Sequence, residues 1–157
     1  MRAPQFGEPE NGRDAPDRPT AFAIVVRDGL IAVMRVDSRR RGCVYDLPGG
    51  GIDPGETPAQ GAARECGEEA GLEVVLDPEP FTCADQFFVN DDGWAHNSRG
   101  RFFAGTVAAE RPDLKVEDDH TLEWMDPRGA ILALDREAHA WAVAVWLRRL
   151  ERNPAKG

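Results

Sequence analysis

The chain has little of what would commit it to several common roles. Cysteine is scarce: Cys43, Cys66 and Cys83 are odd in number, widely spaced and form no CxxC pair. That argues against a disulfide framework or a cysteine zinc site and points to a reducing, cytoplasmic setting. No apolar run is long enough to span a membrane, and no segment has the apolar stretch of a signal peptide. Basic charge is also short. Nineteen Lys and Arg stand against 28 Asp and Glu, a net charge of −9 at pH 7. A binder of long nucleic acid needs a basic face, so that role is disfavoured. A small anionic substrate is not excluded, because a bound divalent cation reverses the local sign. There is no internal repeat, and the glycines Gly49 to Gly51 are not followed by the Gly-Lys-Ser/Thr of a P-loop. The 157 residues suffice for one domain with a good core.

What is present is concentrated between Gly50 and Leu72, GGIDPGETPAQGAARECGEEAGL. Thr57 is a good N-cap, Pro58 suits the first helical position, and Gln60 completes a capping box with Thr57. Gly71 fits the left-handed residue just past a helix end, with Leu72 folding back as the apolar contact. These signals predict a helix from near Thr57 to Gly71. Glu65, Glu68 and Glu69 share one face, with Cβ atoms about 5–6 Å apart. Ala59, Ala62, Ala63, Cys66 and Ala70 mark a small apolar side. Gly61 and Gly67 each cost such a helix roughly 1 kcal/mol relative to Ala. Close packing or close approach of a ligand accounts for them. Clustered carboxylates raise one another's pKa unless a cation sits among them. Hard oxygen ligands beside phosphates suit Mg2+ or Mn2+. An acidic triplet alone reads more readily as a solvated helix face, since charge runs usually face water. The glycine-rich approach, Glu56 and Arg64 at fixed spacing turn the reading toward metal.

The spacing G-x5-E-x7-R-E-U-x-E-E-x-G-U, with U a bulky apolar residue, resembles the Nudix box of the Nudix hydrolases. Every polar and glycine position is filled; Cys66 stands where the family more often has Ile, Leu or Val, and it packs as a small hydrophobe. The segment VYDLPG before the box resembles the family's W-x-L-P-G-G, with Tyr45 in place of Trp. The resemblance implies a Nudix-type α/β/α sandwich with a mixed sheet, an α/β fold, over about residues 20–152. It implies hydrolysis of phosphoric anhydride bonds: water attacks a phosphorus of a nucleoside diphosphate linked to another moiety and gives two phosphorylated fragments. It implies that Glu65 and Glu69 ligate Mg2+, with Glu68 and the Gly49 carbonyl as further ligands, and that Arg64 pairs with Glu56. Glu68, Glu69, Arg64 and Glu56 form the expected catalytic set. The base is left open between a box glutamate and the later Glu117, Asp118 and Asp119. The alternative is a non-catalytic Nudix-fold module that senses a nucleotide, which loss of box carboxylates or of Arg64 would favour; none is lost.

The rest of the chain reads as scaffold. Residues 1–19 lack apolar periodicity and are expected to be a mobile tail. Ala21 to Val26 and Leu30 to Val36 flank Asp28-Gly29 as a hairpin. The loop from Ser38 to Gly42 carries Arg39, Arg40 and Arg41, which with Tyr45 are candidate substrate contacts; a merely solvated loop is the other reading. Glu73 to Leu76, Phe81 to Asn90 and Arg99 to Ala108 are expected strands, the last two around the tip NDDGWAHNS. In that tip Trp94 is either packed or a base-stacking platform, and His96 and Asn97 read as loop polar groups. Thr121 to Met125 is a strand, Asp126-Pro127 starts a short helix, and Asp135 is expected to cap a final helix ending near Leu150. Trp141 and Trp146 on that helix suit core or dimer contacts, leaving room for a homodimer. His139 reads as structural.

Overall fold

The N-terminal residues are held on the sheet in the computed structural model, which describes residues 2–154. Strand β1 (Gln5–Phe6) pairs parallel with a later strand, and strand β2 (Asp17–Arg27) begins inside the segment expected as a tail. Two features hid this. A two-residue strand carries no periodicity, and Pro19, which reads as a strand breaker, sits within β2 opposite Arg99.

Strand β3 (Leu30–Ser38) returns antiparallel to β2, pairing Val26 with Ile31 across the turn. Asp28 and Gly29 both take positive φ, 52° and 76°, the geometry that suits a two-residue hairpin. Strand β4 (Gly42–Asp46) pairs with β3, and β5 (Gly49–Gly51) folds back on β2. Helix α1 (Pro58–Ala70) follows, then β6 (Leu72–Leu76), β7 (Thr82–Val89), β8 (Ala95–Glu110), a single 3-10 turn, β9 (His120–Met125), α2 (Pro127–Ala133) and α3 (Glu137–Arg152). The sheet order is β1-β7-β8-β2-β3-β4, with β5 on β2, β6 on β8 and β9 on β3. The parallel pair β2–β8 lies at its centre.

Alternation along β2 makes the two layers unequal. Ala21, Ala23 and Val25 face α1, where they meet Ala62, Cys66 and Phe103. Phe22 and Ile24 face the other side, where with Phe102 they meet Val143 and Trp146 of α3. Small residues on both partners let α1 approach the sheet closely. The helix signals hold as read: Thr57 accepts from Gln60 N, the Gln60 side chain accepts from Thr57 N, and Gly71 ends the helix at φ 67°. The helix glycines fill packing roles. A Cβ on Gly61 would stand 3.0 Å from a Glu56 carboxylate oxygen, and one on Gly67 would stand 3.3 Å from Leu114.

Two expectations are corrected. The β7–β8 tip is shorter than read: the Asn90 amide donates to the Trp94 carbonyl and the Gly93 amide to the Asn90 carbonyl. His96 and Asn97 are therefore buried strand residues. Asp135 does not cap α3, whose first flanking residue, Arg136, offers no side-chain cap; Asp135 is taken by Arg41 at 2.9 Å. Asp126 does cap α2, accepting from Gly129 N.

Gly49 is the tightest point of this scaffold. Its φ is 148°, and a Cβ there would lie 2.3 Å from the Ala21 carbonyl oxygen. We expect Gly49→Ala to destabilise the protein by at least about 1–3 kcal/mol, from backbone strain alone, with the clash added. Urea unfolding of the variant beside the parent measures it, and an unchanged midpoint would contradict this close approach.

Candidate metal and active site

The site is assembled where β5 meets the second half of α1. The capping box fixes the helix start, and the turn spacing then carries Glu65, Glu68 and Glu69 to the side facing β5. Glu69 is buried. Its Oε1 accepts the Gly49 amide at 3.0 Å, and its Oε2 lies 3.5 Å from His120 Nε2. Among the described residues no Lys or Arg comes within ion-pair distance of it. Burial therefore raises its pKa well above the ordinary 4.5, against the pull of the Gly49 amide. Glu65 is raised as well, first by burial, with Arg64 opposing and the charges of Glu68 and Glu117 adding to it. Glu65 also lies against Gly50, where a Cβ would stand 3.1 Å from its Oε1.

Arg64 is oriented by oxygen atoms on several sides. Its Nη2 donates to Glu56 at 2.8 Å and to the Gly51 carbonyl at 3.0 Å. Its Nη1 donates to Glu65 at 3.2 Å and Glu68 at 3.0 Å. Glu56 also accepts the Asp53 amide at 2.7 Å; with the Arg64 hydrogen bond first and this amide second, its pKa is lowered. Only a planar guanidinium can serve these acceptors at once. The result ties the box loop, residues 51–56, to the middle of the helix.

The later acidic segment comes to the same place. The amides of Val116 and Glu117 donate to the Glu68 carbonyl at 2.9 and 3.0 Å, docking the segment on α1. Glu117, Asp119 and His120 then offer ligand atoms within 4.8 Å of one another. Asp118 points outward, is exposed and does not join them. His120 was not among the candidates read from sequence, although it directly follows the acidic run. Its place opposite Val36 in the β3–β9 register brings it to Glu69.

The other candidates lie elsewhere. Arg41 is clamped to Asp46 at 2.8 Å and Asp135 at 2.9 Å, and Arg40 reaches Glu10 at 3.3 Å. The backbone amides of Arg39 and Arg40 donate to Asp91. The side chains of Arg40 and Arg41 are thus spent on partners other than the carboxylates of α1. Tyr45 packs with the core on the α2–α3 side, and the nearby Glu123 carboxylate raises its pKa. Gly49 meets Glu69 through its amide. Sequence reading also passed over Asp46 and Arg136. Burial alone would raise Asp46, yet Arg136 and Arg41 hold it well below the usual carboxylate range. His139 is structural as read: it accepts the Leu47 amide at 3.1 Å, and burial, then Arg136, lowers its pKa to about 3.

A hard divalent cation suits this donor set. The oxygens are carboxylates, Glu69 is buried without a cationic partner, and the glycines of β5 keep the space beside Glu65 open. Mg2+ and Mn2+ favour such ligands over the nitrogen and sulfur sets of softer metals.

Fold and site together define a Nudix protein, and comparison with known sequences agrees. A family model described as NUDIX domain matches residues 16–149, and the chain belongs to that family. It is 47% identical over 51 residues to an RNA pyrophosphohydrolase of Erythrobacter litoralis (strain HTCC2594), covering 32% of this chain and 30% of that one. It is 38% identical over 75 residues to a MutT-like protein of Streptomyces ambofaciens, covering 46% of each. The matched stretch thus spans less than half of either curated relative. A solved structure of a NUDIX hydrolase from Nitrosomonas europaea superposes with a TM-score of 0.70 at 18% identity, covering 85% of this chain and 89% of that one. At that identity the likeness shows the fold alone.

The raised Glu69 pKa has a sign that can be checked. A carboxylate that binds its proton more tightly when folded contributes stability fully below its ordinary value near 4.5. That contribution is lost as pH rises through the raised value. Glu69→Gln removes the charge and keeps an oxygen for the Gly49 amide. In metal-free buffer the variant should melt above the parent at pH 8, with the gap closing toward pH 4. Melting curves across that range decide it; a variant less stable than the parent at pH 8 would contradict the assigned burial cost.

Proposed function

We propose that this protein is a Mg2+-dependent nucleotide pyrophosphohydrolase, cleaving the diphosphate of a nucleoside diphosphate linked to another moiety. One observation carries the reading: a buried, cation-free Glu69 stands between Glu65 on the same helix and the Glu117–His120 segment. Glu65 and Glu69 are the residues to hold the metal, with Glu68 beside them. Bound Mg2+ supplies charge neutralisation for the diphosphate and activation of water. The remaining work falls to the chain. Arg64, fixed by Glu56 and the Gly51 carbonyl, keeps the glutamate face in register. Gly49 to Gly51 let β5 pack closely on β2 and beside Glu65, which sets the backbone next to the carboxylates. Glu117, Asp119 and His120 are placed to take up the proton that water gives up on attack.

The substrate class is a small nucleotide. The net charge of −9 works against long nucleic acid, and the free thiols Cys43, Cys66 and Cys83 fit a reducing, cytoplasmic setting. No helix among the described residues is long and apolar enough to cross a membrane. A nucleotide-sensing module without turnover has no observation in its favour, since each box carboxylate and Arg64 is present and mutually oriented.

A panel of nucleotides with Mg2+, read by release of phosphorylated products, tests the reading. We expect turnover that Glu69→Gln reduces by more than about 100-fold while the fold survives. Absence of turnover with any nucleotide, under conditions where Mg2+ binds, would favour the sensing module. Mg2+ at millimolar concentration should raise the melting temperature of the parent by mass action and that of Glu69→Gln much less. Arg64→Lys keeps the charge but not the fork, and should cost roughly 10–100-fold in activity or metal affinity, as changes to groups behind metal ligands do.

A further inference from the structure

The turn that carries Glu117, Asp119 and His120 sits where like charge works against it. Three acids follow one another from Glu117 to Asp119, and they arrive beside a helix that carries Glu65, Glu68 and Glu69. The charge of Glu117 already acts on Glu65. Contacts with α1 hold the segment only as far as Glu117. The Arg111 amide donates to the Gly71 carbonyl at 2.7 Å, and the Val116 and Glu117 amides share the Glu68 carbonyl. Leu114 rests on Gly67, where a Cβ would stand 3.3 Å from its side chain. Beyond Glu117 the chain leaves the helix and crosses to β9.

At the far end, the Asp37 amide donates to the Asp119 carbonyl at 2.9 Å, and the next pair in the β3–β9 register is Val36 with His120. Hydrogen-bonded and non-bonded pairs alternate along an antiparallel ladder, so the backbone groups of His120 point away from β3. Its amide turns back to the Glu117 carbonyl at 3.3 Å, a long contact. Its carbonyl accepts from Lys115 Nζ at 2.8 Å, and the same Nζ donates to the Glu117 carbonyl. One ammonium therefore joins the first and last residues of the turn. Of the 19 basic side chains only Lys115 and Lys156 are lysines, and the residue type suits this place. An ammonium gathers three donors on one atom, where two carbonyl oxygens can converge; a guanidinium spreads its donors over a plane. Although acids surround it in sequence, Lys115 meets no carboxylate within ion-pair distance among the described residues. Its Nζ is given to the two carbonyls.

We propose that Lys115 is a positioning residue for the reaction. Its ammonium clasps the turn of residues 117–120 and so holds Glu117, Asp119 and His120 against Glu69. The inference rests on the reading above, in which this turn takes up the proton of the attacking water. Lys115 acts through the turn and not on the substrate.

Lys115→Met keeps the apolar stem and removes every donor. Lys115 is exposed, so water satisfies the two freed carbonyls, and the melting temperature should stay near that of the parent. Water does not tie the two ends of the turn together. Amide hydrogen exchange on the metal-free full chain reads the clasp without turnover. The His120 and Asp37 amides should exchange about tenfold faster in the variant, while amides of the β2–β8 ladder keep their rates. With Mg2+ and the best nucleotide, kcat should fall about tenfold with KM little changed, since a displaced proton acceptor affects the transition state and not substrate binding. In a background of Glu117→Gln, Asp119→Asn and His120→Gln, Lys115→Met should lower the residual kcat little further, because groups that act as a unit are not additive. Unchanged exchange at His120 and Asp37 removes the clasp and leaves the catalytic reading standing. Faster exchange with kcat unchanged overturns the positioning role. An equal loss of kcat in both backgrounds shows that Lys115 acts by another route, which also overturns it. Faster exchange in a protein that hydrolyses no nucleotide keeps the clasp and sinks the catalytic reading.

Discussion

The hydrogen bond from the Gly49 amide to buried Glu69, 3.0 Å long, is the contact on which the site depends. It joins the glycine strand β5 to helix α1 at the point where both are pressed on β2. Gly49 cannot move toward the sheet, because the Ala21 carbonyl is already in the space a Cβ would need. Helix α1 cannot move away without exposing the small-residue contact of Ala62 and Cys66 on Ala21 and Ala23. The carboxylate is thus fixed from two sides in a place where its charge is poorly solvated. A protein selected for stability alone would gain by an apolar residue there. The cost of keeping Glu69 is reasonable only where a cation relieves it.

Two charged clusters steady this contact from opposite ends. At the box loop, Arg64 gathers Glu56, Glu65, Glu68 and the Gly51 carbonyl. At the approach to β5, Asp46 is held by Arg41 and Arg136. Buried ion pairs add little net stability, because desolvation offsets attraction. Their effect here is geometric: each fixes where a loop enters and leaves Gly49 to Gly51. Arg136 also lies against Phe88, so the same cluster ties the start of α3 to the β7–β8 hairpin. Arg40 and Arg41, which as sequence look like spare cations for a phosphate, are consumed in this architecture.

Much of the fold was legible because its signals are local. The capping box at Thr57 and Gln60, the αL glycine at Gly71, the Asp28-Gly29 hairpin and the Asp126 cap each act within a few residues. Misreadings fell where distant partners decide. Pro19 reads as a breaker, yet parallel pairing with β8 keeps it in a strand. His96 and Asn97 read as loop residues, yet the tight turn from Asn90 to Trp94 carries them into β8. Asp135 reads as a helix cap, yet Arg41, far away in sequence, takes its carboxylate.

The chain's own sequence determined the helix that carries Glu65, Glu68 and Glu69, because backbone periodicity alone sets three side chains on one face. It determined the family likewise, through spacing that local geometry demands. Tertiary structure decided what those carboxylates experience. Burial of Glu69, its Gly49 partner, and the arrival of Glu117 and His120 all arise from contacts between segments remote in sequence. Desolvation and charge proximity depend on such contacts, and no local pattern of residue types encodes them.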